Sequence, residues 1–291
     1  MMKRLIFFFA IASGIASCDK IEKPYKIEQS RIEVDTPAFP ALENVVQKYL
    51  FEDYTGHLCN NCPEGAAILK TLKTAMGDTL IVMAVHAGAN GMVAPNPVES
   101  GCSRGYTADY RTPAGNEYAT TFNIKGNPSG MVNRMLIDGN RTFLNVANWT
   151  SIVNNIPRNA PTMGIQIIPQ HRSDTAYIFI KTTLLSDVSQ KLRLCAVLVE
   201  NGIVSPQKNK DVNIGETPNI CSYEHNHVLR TAITPIWGDV LDLSEKNDTI
   251  IKAYALLFEG KPWKKENCHI IVYIYDADTQ EILQAEEKEL F

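Results

Sequence analysis

The sequence has no surplus of positive charge: 28 lysines and arginines face 32 acidic residues, a formal net charge of −4. Neutralising a phosphate backbone needs such a surplus, so nucleic acid is not expected as a partner. After the first residues no apolar run approaches the roughly 20 residues of a membrane-crossing helix. Glycine spacing for a nucleotide phosphate loop is missing, as is a defensible serine-histidine-aspartate set. No organic cofactor or metal is expected. What the chain does have is 45% hydrophobic and 21% charged residues over 291 positions, a composition that excludes global disorder and suits two modest folded domains.

The chain opens with Lys3-Arg4, the apolar run Leu5 to Ile11 and small residues through Ser17, followed at once by Cys18. Basic, apolar and small-residue regions in that order predict a signal peptide over residues 1–17. Ile15-Ala16-Ser17-Cys18 resembles the bacterial lipobox, which implies diacylglycerol on the Cys18 sulfur and a fatty-acyl chain, such as palmitate, on its freed amine. Two or three chains hold a protein on a membrane where one binds only marginally. The plainer reading is ordinary secretion with a fortuitous cysteine. Removing Lys3 and Arg4 with the leader takes the formal charge from −4 to −6. Residues 18–40, with Pro24, Pro37 and Pro40 among alternating charges, predict a tether.

The core residues Val45, Val46, Tyr49, Leu50 and Phe51 predict a strand that runs into Thr55-Gly56-His57-Leu58-Cys59-Asn60-Asn61-Cys62-Pro63. From Glu64 to Lys73 apolar residues recur at helical spacing. The cysteines therefore fall on a strand-to-helix corner. With Cys59 at the helix start, unpaired amides and the positive end of the dipole favour its thiolate, and Cys62 follows one turn later. Pro63 is tolerated in an opening turn. A Cys-x-x-Cys pair can also be half of a zinc site or an inert disulfide. No second close pair or histidine return motif follows, and the strand-pair-helix context suits a redox motif. Exchange requires the Cys59 sulfur to be exposed.

This corner resembles that of the thioredoxin superfamily, with Leu58 in place of the usual tryptophan. The resemblance implies that Asp53 is the partly buried carboxylate that manages the Cys62 proton; a surface or capping role is the plain alternative. Thr79 to His86 reads as a central strand covered on both faces, with His86 either bordering the dithiol or simply ending a core strand. Residues 87–114, with several glycines and prolines and Cys102, read as a long insertion. Cys102 is open between an extra resolving thiol and a free or structural cysteine. Gly115 to Ile124 predicts a short helix, and Gly130-Met131-Val132 a strand. On composition alone Pro128 is an ordinary turn proline. The thioredoxin resemblance implies a cis Asn127-Pro128 peptide that faces the dithiol and offers backbone groups to a peptide substrate. Trp149 to Ile156 closes a first domain over residues 41–158.

Beyond Pro161 the pattern changes to short apolar segments with polar turns: Gly164–Ile168, Ala176–Leu185, Lys191–Glu200, Ile250–Phe258 and His269–Tyr275. No long amphipathic helix interrupts them, so residues 162–291 predict a β-sandwich. The fold class is thus an α/β thioredoxin-like domain followed by an all-β sandwich domain. His225 and His227 would share a face of a strand, as metal ligands or as polar loop residues. Cys195 reads as a small buried residue, and Cys221 and Cys268 could pair across the sandwich.

Four stretches, Thr55 to Pro63, Pro128 to Arg134, His225 to Arg230 and Tyr275 to Ala285, together resemble the thioredoxin-like outer-membrane lipoproteins of Bacteroidetes. That resemblance implies a lipid-anchored protein of the bacterial outer membrane, facing the periplasm or the surface. The function expected is thiol-disulfide exchange on a protein or peptide, with Cys59 as nucleophile and Cys62 as resolving thiol, in a direction set by the redox partner. The competing expectation is a non-enzymatic binding or structural lipoprotein with an inert Cys59–Cys62 disulfide.

Overall fold

The computed structural model describes residues 34–88, 91–98, 101–103 and 105–291. The leader, Cys18 and the tether up to residue 33 lie outside the described residues. Two strands with every residue buried, β1 (Tyr49–Thr55) and β2 (Leu80–His86), pair in parallel across the helix α1 (Cys62–Met76). After the insertion come α2 (Pro113–Thr121), β3 (Ser129–Val132), antiparallel to β1, and the short α3 (Trp149–Asn154). Thr112 caps α2 by accepting from the Gly115 N–H, with Pro113 in the first turn.

The second half supplies β4 (Met163–Arg172), β5 (Thr175–Leu184), β6 (Leu192–Glu200), β7 (Ile203–Lys208), β8 (Asn219–His225), β9 (Val228–Ala232), β10 (Asp239–Val240), β11 (Thr249–Leu257), β12 (Cys268–Asp276) and β13 (Ile282–Glu289). The main sheet runs β13-β12-β6-β9-β2-β1-β3, with β10 also on β6. The sheet therefore crosses the expected boundary at residues 158–162. Val228 pairs with Ala84, so β9 covers the edge that β2 would otherwise leave open.

Alternation along β6 and β12 builds two layers. Cys195, Val197 and Val199 face the same core as Leu50, Met83 and Val85, beneath Tyr118 of α2. Leu194, Ala196 and Leu198 face the second sheet, ordered β11-β5-β4, through Ile165, Ile178 and Ile180. Those two sheets form the sandwich. On the first half, α1 and α3 cover Phe51, Leu80 and Val82 through Leu69, Leu72 and Trp149. The chain is thus an N-terminal thioredoxin-like α/β region followed by a β-rich sandwich, joined by one sheet. Pro40, the last residue of the expected tether, lies against the sandwich: Gln166 Nε2 donates to its carbonyl oxygen at 2.9 Å.

A buried ion pair of the first half reaches into the second through a tyrosine hydroxyl. Glu52 of β1 and Arg134, both 0% exposed, are joined by two hydrogen bonds of 2.8 Å, and Arg134 also donates to the Tyr273 hydroxyl of β12 at 3.2 Å. The guanidinium lies over the rings of Tyr118, Phe122 and Tyr273 at 4.8–5.1 Å. Next to it, Asn133 Oδ1 accepts from the Leu50 N–H, and Ile282 of β13 donates to Asn133 O. A buried charge left without its partner is strongly destabilising, whereas replacing both partners by apolar groups is far less so. Denaturant unfolding should show Glu52→Leu losing about 3–5 kcal/mol, with most of it recovered in Glu52→Leu/Arg134→Met. An equal loss in the single and double variants would contradict this role for the pair.

Candidate functional site

The dithiol corner follows directly from β1. Thr55 ends the strand, Gly56 to Asn61 turn, and α1 begins at Cys62, with Asn61 as its N-cap and Pro63 in the first turn. The helix thus starts three residues later than the sequence places it, because Cys59 is taken up in the preceding turn, its N–H on Gly56 O at 3.0 Å. The positive end of α1 is at Cys62, not Cys59. The two cysteines are disulfide-bonded, with Cα atoms 5.5 Å apart.

The exposed Cys59 sulfur expected from sequence is not found: Cys59 is 1% exposed and Cys62 2%. Two segments close the corner. On one side the insertion approaches so tightly that a Cβ on Gly56 would lie 2.5 Å from Met92 O; Leu58 N–H donates to that oxygen, and His57 Nε2 lies 3.1 Å from Ala94 O. On the other side lies the β7–β8 hairpin. Lys208 N–H donates to His57 O at 2.8 Å, Lys210 N–H to Asn60 O at 3.1 Å, and the Gln207 amide to Cys59 O at 2.8 Å and Gly56 O at 3.2 Å.

The Asn127-Pro128 peptide is cis. Because Ser129 pairs with Tyr54, Pro128 lies level with Thr55, where β1 enters the corner. The Asn127 amide donates to Thr55 O and Ala87 O, at 2.6 and 3.1 Å, holding the ends of β1 and β2 together. Ser129 Oγ donates to Gly126 O at 2.6 Å, steadying the turn before the strand.

A cavity of about 700 Å³ opens between α1, β2 and the hairpin, lined by Asp53, Cys62, Val82, His86, His225 and His227 among others. Asp53 lies on the α1 face of β1, is 3% exposed, and its Oδ1 has no hydrogen-bond partner. His86, His225 and Tyr110 form a triangle of rings, the two buried imidazoles with centroids 5.8 Å apart and 4.8 and 5.3 Å from the tyrosine. His225 ends β8 while His227 sits in the following turn at φ 57°, so the two do not share a strand face. Among the described residues no group of three or more histidine, cysteine or acidic side chains could hold a metal ion.

Cys102 is bonded to Cys221 on β8. The Cys221–Cys268 pairing considered from sequence is therefore not formed. Cys268 and Cys195 are free and buried, their thiols pushed up to about 12 and about 11 by desolvation. Sequence reasoning missed Gln207, Lys208, Lys210 and the covering role of the hairpin; the only trace was a short β-branched run broken by Pro206.

Desolvation raises the Asp53 carboxyl from 3.8 to about 7. An unfolded chain loses that proton near pH 3.8, so the folded protein holds it across the interval up to about 7, and stability falls as pH rises through that window. His225 and His227 are lowered from 6.5 to about 4 by desolvation, so their contribution is lost as pH falls below 6.5. Asp53→Asn should become progressively more stable than the parent from pH 4 to 7, by up to a few kcal/mol, and keep the acid limb. A pH-independent difference in melting temperature would contradict the assignment.

A family described as Outer membrane protein Omp28 matches residues 115–290, which begins after the dithiol corner. Among solved structures, HBP35 of Porphyromonas gingivalis is 14% identical, with 85% of this chain and 76% of that chain covered and a TM-score of 0.61. A domain of the outer membrane lipoprotein Omp28 from Porphyromonas gingivalis is 19% identical, covering 45% of this chain and 88% of that chain, TM-score 0.30. A protein of Agrobacterium tumefaciens is 12% identical over 85% of this chain and 96% of that chain, TM-score 0.48. No curated protein matches. The family match spans more than half of the 291 residues, and the chain belongs to the Outer membrane protein Omp28 family.

Proposed function

We propose that this protein is a lipid-anchored thiol-disulfide exchange protein of the outer membrane, acting on protein or peptide substrates. The observation that carries the reading is the Cys59–Cys62 disulfide at the β1–α1 corner of a thioredoxin-like sheet, with the cis Asn127-Pro128 peptide tied to the end of β1 through the Asn127 amide. Membership of a family of outer-membrane proteins supports the location, and the Cys18 anchor completes it.

In the reduced protein, once the hairpin has moved off the corner and uncovered the Cys59 sulfur, the Cys59 thiolate attacks one sulfur of a substrate disulfide, forming a mixed disulfide and releasing the other substrate sulfur as a thiolate. Cys62 then gives up its proton and attacks the Cys59 sulfur; Cys59–Cys62 re-forms and the second substrate thiolate leaves. The two electrons gained by the substrate come from the dithiol. The reverse sequence oxidises a substrate dithiol. Asp53 is the group that takes and returns the Cys62 proton; both line the same cavity, and its raised pKa near 7 suits that exchange. Asn127 and Pro128 are the edge against which a substrate backbone lies.

One observation favours a second reading. A pair only 1% and 2% exposed does not meet a protein substrate in the closed conformation, as expected of a binding lipoprotein with an inert disulfide. Trapping distinguishes the two. Cys62→Ser, expressed in the native envelope, should accumulate partners disulfide-linked to Cys59, and Cys59→Ser/Cys62→Ser should lose them. No Cys59-linked partner in Cys62→Ser would favour the binding reading.

A further inference from the structure

The outer disulfide sits where it controls access to the inner one. Cys221 on β8 is exposed and Cys102 in the insertion half-buried, whereas Cys59 and Cys62 are enclosed. The bond spans 119 residues of sequence and joins the two segments that close the corner. Beside it, the Tyr106 hydroxyl donates to Asn219 Oδ1 and the Tyr110 hydroxyl to Ser205 Oγ, both at 2.7 Å. The insertion and the hairpin are thus stitched to each other above the corner, and each is separately hydrogen-bonded to it. Opening either means parting both, as long as the covalent stitch is intact.

We propose that Cys102–Cys221 is a second redox site, a latch that a small dithiol reductant opens first and whose opening uncovers Cys59–Cys62. A reductant thiolate attacks the sulfur of Cys221, the more exposed of the two residues, the Cys221–Cys102 bond breaks, and Cys102 leaves as a thiolate that takes a proton from water. The second thiol of the reductant loses its proton and attacks the mixed disulfide, freeing Cys221; the reductant leaves as its cyclic disulfide, two electrons poorer. The insertion and hairpin are then held together only by hydrogen bonds, and local opening becomes frequent enough for chemistry beneath them. The latch deepens the exchange reading and rests on it for its purpose, but its order of reduction is measurable without any substrate.

The test is a time course of dithiothreitol reduction of the full-length protein, quenched by alkylation and resolved cysteine by cysteine. Cys102 and Cys221 should become alkylated before Cys59 and Cys62. In Cys102→Ser/Cys221→Ser, reduction of Cys59–Cys62 should be faster by at least about tenfold. Buried Cys195 and Cys268 serve as internal controls: they should stay unmodified in both proteins, which shows that the corner opens locally and not by global unfolding. Gln207→Ala, which releases the hairpin from the corner without touching a cysteine, should speed the inner pair and leave the outer pair unchanged. Reduction of Cys59–Cys62 before Cys102–Cys221 in the parent overturns the latch, as does an unchanged inner rate in both variants. Ordered reduction together with no trapped partner in Cys62→Ser/Cys102→Ser/Cys221→Ser, where the outer disulfide no longer holds the cover on Cys59, would leave the latch standing and refute exchange; partners trapped equally in Cys62→Ser with and without Cys102–Cys221 would do the opposite.

Discussion

The pairing of β9 with β2 decides what covers the dithiol. Glu200 lies opposite Val228, and Val228 opposite Ala84, so the chain leaves β6 and returns to β9 beside the same part of β2 that leads to the corner. The intervening β7–β8 hairpin has that corner within reach and closes on it through His57 O and Asn60 O. The Glu52–Arg134 pair, with Tyr273 as its third member, ties this arrangement together from the opposite face of the sheet. A thioredoxin-like region and a sandwich thus share one hydrogen-bonded sheet, and the second half of the chain supplies the cover of a site in the first.

Enclosure changes how the Cys-x-x-Cys pair is to be understood. In an open corner the reactivity of Cys59 would be set by its own thiolate fraction and the leaving group it meets. Here the hairpin has to be displaced first, and the fraction of molecules in which it is open scales the rate of any chemistry beneath it. The cavity beside α1 contributes differently. Its unpartnered Asp53 oxygen and imidazole nitrogens, together with neutral histidines, make a low-dielectric surrounding in which a carboxyl can hold a proton near neutrality.

Much of the first half was legible in the sequence. The apolar run before His86 is a central strand because both faces are covered, and Cys59 to Pro63 mark the corner because Pro63 can only open a helix there. The cis Asn127-Pro128 peptide came from the thioredoxin resemblance, since composition alone favours a trans turn. The strands of the sandwich showed their alternation. The hairpin did not: Pro206 removes a ladder donor and sits at a register shift, so β7 lacks a strand pattern. Glu286, Glu287 and Lys288 conceal β13, whose charges suit an edge strand. The Cys102–Cys221 bond was beyond sequence for a different reason: connectivity depends on which loops meet in space, and Cys102 and Cys221 meet only because the shared sheet brings the insertion and the hairpin to one corner.

Amide hydrogen exchange at Lys208 and Lys210, whose N–H groups bond to His57 O and Asn60 O, reads the closure itself. Compared in the fully oxidised and fully reduced full-length protein, both amides should be protected in the oxidised form and lose that protection on reduction, while the β2 and β6 amides stay protected in both. Equal protection of Lys208 and Lys210 in the two forms would contradict a cover that yields to redox state.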